Sequence, residues 1–86
     1  MMNAKEARAN VENYNREVEE ARENRVNRYL ETTVAREIEE NSKQGYDIAR
    51  FTTFVDKKDT ELMIAKLEEL GYEVDQINDK FIVVEW

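Results

Sequence analysis

Hydrophobic and polar positions divide the chain into a first half with helical spacing and a second half with shorter, mixed spacings. From Asn3 to Gln44 there is no proline and no glycine, and apolar residues recur every three or four positions. This spacing predicts one long helix over half of the chain. Because the other half is too small to cover all of that helix, we expect part of the helix to pair with another chain.

The apolar positions of this helix, within residues 1–44, fall into two groups of different phase. The first group alternates steps of three and four residues, as in a coiled coil, and most of its side chains are small. We call this group the seam; it consists of Ala4, Ala7, Val11, Tyr14, Val18 and Ala21. A charged break at Arg22–Arg25 separates it from a bulkier group that steps by four: Val26, Leu30, Val34 and Ile38. We expect the bulky group to pack on the protein's own sheet, and the seam to project and mediate homo-oligomerisation.

Residues at both ends of the long helix are of the types that start and stop helices. Asn3 and Glu6 have the spacing of a capping box. Gly45 follows at the position where a left-handed residue closes a helix. Asparagine is frequent between Asn10 and Asn27, although it is a poor helix former. The asparagines form either a solvated face, as polar runs usually do, or a polar contact surface that orders on binding.

Residues 45–86 begin with a predicted strand. The stretch from Tyr46 to Val55 is rich in aromatic and branched side chains, which is typical of strands. Its alternation is imperfect, because Ile48 and Phe51 are an odd number of residues apart. We therefore expect either a bulge near Ala49-Arg50 or a strand that is covered on both faces.

A second helix and two further strands follow. Asp56 has the position of a helix N-cap, and Gly71 closes the apolar helix behind it. Tyr72–Ile77 and Lys80–Trp86 then predict two strands, which a two-residue turn at Asn78-Asp79 would join. The second half thus predicts a small β-α-β-β module.

The last strand is apolar on both faces, which predicts a central position in the sheet. Pairing of Ile77 with Lys80 would place Val74 opposite Val83. The first two strands would run parallel, with the last strand between them and antiparallel to both. We expect the second helix to cover one face of the sheet and the long helix the other. The prediction is an α+β fold with a three-stranded mixed sheet and one folding unit.

Composition limits the chemistry. The chain has no cysteine and no histidine, so it offers no disulfide, no thiolate and none of the commonest metal ligand. Its net charge of −7 argues against nucleic-acid and anionic membrane partners. No apolar run approaches the ~20 residues that span a bilayer, and no signal segment is visible. We therefore expect a cytoplasmic protein.

The side chains that most often carry catalysis are scarce or have simpler roles. Ser42 is the only serine and has no histidine to activate it. Asp56 and Asp59 fit helix capping, and Asp75 and Asp79 fit turn chemistry. Both glycines serve as helix terminators, which leaves none for a phosphate loop. We expect no enzymatic activity, no catalytic residue, no metal and no cofactor.

A binding site for an anion is a hypothesis for the region where the first strand meets the second helix. Arginine offers a planar fork, and a helix start offers free N–H groups. The residues in question are Arg50, Phe51, Thr52, Lys57 and Lys58. The aromatic residues that could stack on a base are Tyr46, Phe51, Phe54 and Trp86. The simpler alternative is that the aromatic residues form the core and the charged residues lie on the surface.

Two stretches resemble small accessory proteins encoded by bacteriophages and prophages of Gram-positive hosts. One is the opening Met2–Arg8; the other is Leu67–Val74, followed by a hairpin that ends at Trp86. These proteins look like a long helix followed by a small α/β module. The resemblance covers about half of the chain and carries no motif that assigns a site residue.

The resemblance implies an accessory role in a host cytosol. Phage proteins of this kind include host-takeover and counter-defence factors, some of which inhibit a host protein and some of which sequester a nucleotide immune signal. We therefore expect a non-enzymatic binding protein that acts as an oligomer. The alternative is a structural or assembly protein whose long helix only builds a homo-oligomer.

Overall fold

One continuous helix forms the first half of the molecule. The computed structural model describes residues 1–86, and in it α1 spans Ala4–Tyr29, a π-helical segment spans Leu30–Val34, and α2 spans Ala35–Lys43. The predicted long helix is confirmed. None of the helices combines the length and the apolar character that crossing a bilayer requires.

Caps at both ends of this helix are the predicted ones. The Oδ1 atom of Asn3 accepts a hydrogen bond from the Glu6 amide at 2.9 Å. At the other end Gly45 has a φ of 87°, in the left-handed region. Its amide bonds the Ser42 carbonyl, and the Tyr46 amide bonds the Asn41 carbonyl. This pair of bonds is a Schellman motif, which satisfies carbonyls that the helix end leaves free.

The π-helical segment was not predicted. The Ala35 amide donates to the Leu30 carbonyl, five residues back instead of four. Nearby, the Thr32 hydroxyl donates to the Arg28 carbonyl at 2.6 Å. This side-chain bond gives a partner to a carbonyl next to the widened turn.

The second half is the predicted β-α-β-β module. Its elements are β1 (Ile48–Thr52), α3 (Lys57–Glu69), β2 (Glu73–Gln76) and β3 (Phe81–Glu85). The strand order is β1-β3-β2, so the last strand is central, as expected. The predicted pairings of β3 with β1 and with β2 are confirmed, and both are antiparallel. Because β1 and β2 are not neighbours, the sheet is antiparallel, and the predicted term mixed was wrong.

Strand β1 is shorter than predicted and has no bulge. Its register with β3 runs without interruption from Ile48 opposite Glu85 to Thr52 opposite Phe81. The prediction of a bulge was wrong because it counted Ile48 as a core residue. Ile48 is exposed, and the small residue Ala49 is buried instead.

The hairpin between β2 and β3 is one residue longer than predicted. The Ile77 amide donates to the Phe81 carbonyl, so Ile77 pairs with Phe81 and not with Lys80. The Asn78 side chain accepts from the amides of Lys80 and Phe81, which stabilises a three-residue loop. As a result Val74 pairs with Val84 rather than Val83.

Both helical parts lie on the same face of the sheet, which corrects the predicted three-layer arrangement. One core cluster contains residues of the long helix, of α3 and of one sheet face: Val26, Val34, Ala49, Phe51, Met63, Leu67, Ile82 and Val84. Leu30 and Ile38 pack against this cluster. The fold therefore has two layers, and the other face of the sheet is open. Arg50 lies on that open face, with its guanidinium 4.9 Å from the centre of the Phe81 ring.

Candidate functional site

The first part of α1 projects from the module. Every residue from Ala4 to Glu17 is exposed, and Val18 is the first that is half-buried. Within the seam, Val11 is 59% and Tyr14 66% exposed. The molecule is accordingly elongated, with principal extents of 63 × 23 × 19 Å. The seam side chains from Ala4 to Tyr14 thus lie on a helix face that nothing in the chain covers.

The charged break at the end of the seam is a structural link to α3. Asp59, only 3% exposed, receives hydrogen bonds from two arginines of α1. Arg22 Nε lies 2.9 Å from Asp59 Oδ1, and Arg25 donates through Nε at 3.0 Å and Nη2 at 3.1 Å. We call Arg22, Arg25 and Asp59 the arginine clamp. Charged hydrogen bonds of this length are the strong ones, so the clamp fixes where α1 leaves the module.

The clamp changes the ionisation of its carboxylate. The bond from the Arg25 guanidinium lowers the pKa of Asp59 below its ordinary value, and the bond from Arg22 acts in the same direction. Burial works against this shift, because it penalises the charged form. Asp59 therefore stays ionised, and its negative charge offsets the positive charges of Arg22 and Arg25.

Sequence reasoning missed the clamp. The sequence predicts Asp59 in the first turn of the second helix, where it does lie, but indicates no role for Arg22 and Arg25 beyond a break in the seam. The available signal was their spacing of three, which puts both guanidinium groups on one helix face. The partner, 34 residues beyond Arg25, had no local signal.

A groove lies where the projecting part of α1 meets the module. It encloses about 600 Å³ and is lined by Ala21, Asn24, Arg25, Arg28, Tyr29, Thr32 and Phe54. The rings of Tyr29 and Phe54 meet edge to face, with centroids 5.3 Å apart. No carboxylate lines the groove, although the chain has 20 acidic residues. The groove therefore offers cationic and aromatic groups side by side.

The residues predicted to hold an anion are not brought together as a set. Phe51 is 4% exposed and belongs to the core, on the face of β1 opposite to Arg50 and Thr52. It cannot stack on a ligand that Arg50 holds. Lys57 and Lys58 are exposed in the first turn of α3. Of the aromatic residues proposed for stacking, Phe54 lies in the groove.

Polar residues considered for catalysis have structural partners. Asp56 caps α3 by accepting from the Lys58 amide at 2.9 Å, and Asp59 belongs to the clamp. The Ser42 hydroxyl donates to the Glu39 carbonyl. No three acidic side chains converge on a point that could hold a metal ion.

Comparisons of this chain with protein-family models, with curated proteins and with solved structures found no match.

Proposed function

We propose that this chain is a non-enzymatic binding protein that acts as an oligomer assembled through the seam. The observation that supports this most directly is the exposure of Val11 and Tyr14 on a helix segment without tertiary contacts. Isolated helices of ~15 residues are marginal in water, and asparagine lowers helix stability further. A second helix against the seam would supply the missing burial.

The projecting helix and the module would then have separate tasks. The helix brings copies together, and each copy keeps its open sheet face and the part of its groove beyond Ala21, at Arg28, Tyr29 and Phe54, for a partner. The resemblance to phage accessory proteins suggests that the partner is a host protein or a nucleotide signal in the host cytosol. The groove favours a small anion with a flat apolar part, because Arg28, which makes no ion pair, lines it together with the aromatic residues Tyr29 and Phe54.

The oligomer is tested by light scattering after size exclusion. We expect wild type to be an oligomer and Val11→Asp to be a monomer with an unchanged module. Asn13→Asp, which adds the same charge on the outer face of the same helix, is the matched control and should assemble normally. A wild-type chain that stays monomeric at every concentration would contradict the proposal.

Binding is tested with the same variants used as bait in host lysate, followed by mass spectrometry of small molecules released on denaturation. A host protein retained by wild type, or an anionic compound retained by wild type and lost in Arg28→Gln, would support a binding function. An oligomer that retains neither would favour the alternative, a structural or assembly protein.

A further inference from the structure

We propose that two copies pair through the seam in antiparallel orientation, with Val11 opposite Tyr14 of the second copy. In this register Ala7 faces Val18, and Ala4 faces Ala21. The inference rests on the proposed self-association and adds its direction and register. Three features of α1 carry it: the sizes of the seam residues, the charges just beyond them, and the polar residues on the flanks.

Side-chain size favours the antiparallel register. In a parallel pair each seam residue meets its own copy, so Tyr14 would face Tyr14 three residues from Val11 facing Val11. Two facing tyrosines would keep the helix axes far apart. The alanine layers fill the interface only when the axes are close together. In the antiparallel pair each Tyr14 meets a smaller Val11, and thickness falls evenly toward an Ala4–Ala21 layer at each end. Matched large and small residues give an interface without gaps.

Charge beyond the seam excludes a parallel continuation. After Ala21 the same steps of four and three residues lead to Arg25 and Arg28. In a parallel pair each of these arginines would face its own copy, next to the last seam layer. Arg28 makes no ion pair that would offset the repulsion, and the Asp59 charge is already shared by two arginines. The antiparallel pair keeps the arginines of the two copies at opposite ends.

Polar residues on the flanks of the seam match in the antiparallel pair. Asn10 lies nearest Glu17 of the second copy on one side, and Arg8 lies nearest Asn15 on the other. Both are donor–acceptor combinations, and neither brings like charges together. A parallel pair would instead offer Glu17 the side chain of Arg22, which is bound to Asp59. The flanking asparagines thus act as a polar contact surface.

Cysteine cross-linking tests the orientation, and the absence of native cysteine makes the result unambiguous. Under mild oxidation, a mixture of Ala7→Cys and Val18→Cys chains should give a disulfide-linked dimer. Each variant alone should give at most about a tenth of that yield, because the same residue in the two copies lies about 16 Å apart along the helix axis. Ala9→Cys, on the outer face, is the control and should not cross-link. Efficient cross-linking of Val18→Cys alone would overturn the inference in favour of a parallel pair.

Light scattering on the same samples before oxidation tests self-association separately from the orientation of the two helices. Monomers would refute the self-association itself, whereas dimers with the wrong cross-links would refute only the orientation.

A second measurement needs no cysteine. Asn10→Lys should tighten dimerisation about threefold at low salt, because it creates two exposed ion pairs with Glu17, and Glu17→Gln should abolish that gain. An unchanged dissociation constant for Asn10→Lys would also count against the register.

Discussion

The two halves of the long helix share one backbone and have opposite environments. Val34 is 1% exposed in the core, whereas Tyr14, twenty residues earlier on the same helix, is 66% exposed. Backbone hydrogen bonds continue through both halves. Helical geometry is therefore not what separates them; the difference lies in what each apolar row is able to bury.

Side-chain bulk and phase explain this difference. The row from Val26 to Ile38 presents large side chains to a sheet that is held at a fixed place. The seam presents alanines over much of its length, and a small side chain gains little from burial unless another backbone comes close. No other segment of the chain lies close enough to the projecting part of α1 to bury these alanines. A seam of small, regularly spaced side chains is therefore suited to pairing with a separate chain, and a row of bulky side chains to the chain's own core.

The largest expected effect comes from Val34→Asp. It would bury an unpaired carboxylate in the core, at a cost of about 4–5 kcal/mol or more, which is close to the whole stability of a domain this small. We expect the module to be unfolded at room temperature by circular dichroism and amide NMR. A folded module in this variant would show that the inner half of the helix is not part of the core.

The next effect in size comes from the border between the two halves. Asp59→Asn keeps the shape of the side chain but leaves Arg22 and Arg25 without their counter-charge. We expect a loss of about 2–3 kcal/mol in urea unfolding, less than for a fully buried pair because Arg25 is half exposed. Asp75→Asn, on the open sheet face, is the matched control and should change little.

The same variant should alter the pH dependence of stability. Because the pKa of Asp59 is lowered in the folded state, its contribution is fully present above the ordinary value of 3.8. It is lost as the pH falls through that value toward the lowered folded-state pKa. Wild type should therefore lose more stability than Asp59→Asn as the pH is lowered from neutral through 3.8. Equal losses in both proteins would show that the clamp does not stabilise the fold.

The smallest effect on the module should come from Val18→Asp. Val18 lies in the seam and is only half-buried, so we expect a loss of about 0.5–1 kcal/mol, together with loss of the oligomer. Unfolding must be measured at a concentration where wild type is dissociated, since assembly would otherwise add to the apparent stability. If Val18→Asp unfolds the module as severely as Val34→Asp, or leaves an oligomer intact, the division of the helix is wrong.

Local chemistry made much of the fold predictable. Asn3, Asp56, Gly45 and Gly71 mark helix ends through their own side chains or through backbone freedom, and all four have the predicted positions. The apolar character of Phe81–Glu85 on both faces placed β3 in the middle of the sheet. These signals act over a few residues, which is why a single sequence reveals them.

Features that depend on distant residues were not predictable. The hairpin register depended on whether the Asn78 side chain would bond to amides of its own loop. The loop is one residue longer as a result, and Val74 pairs with a different residue of β3. The stacking of both helices on one face depends on their contact with each other. The arginine clamp joins residues more than thirty positions apart, and neither end alone indicates the other.

The π-helical segment determines the direction in which the projecting half of the helix presents the seam. An α-helix turns about 100° per residue, so each step of four overshoots a full turn by about 40°, and three such steps from Val26 to Ile38 would drift by about 120°. The turn with an extra residue at Leu30–Val34 takes up part of that drift and keeps the whole row on the sheet. The segment therefore fixes the rotation of the projecting half of the helix relative to the sheet. Removing one residue from it should rotate the projecting half by about 100°, so the direction in which the seam faces is set by residues that begin nine positions after Ala21.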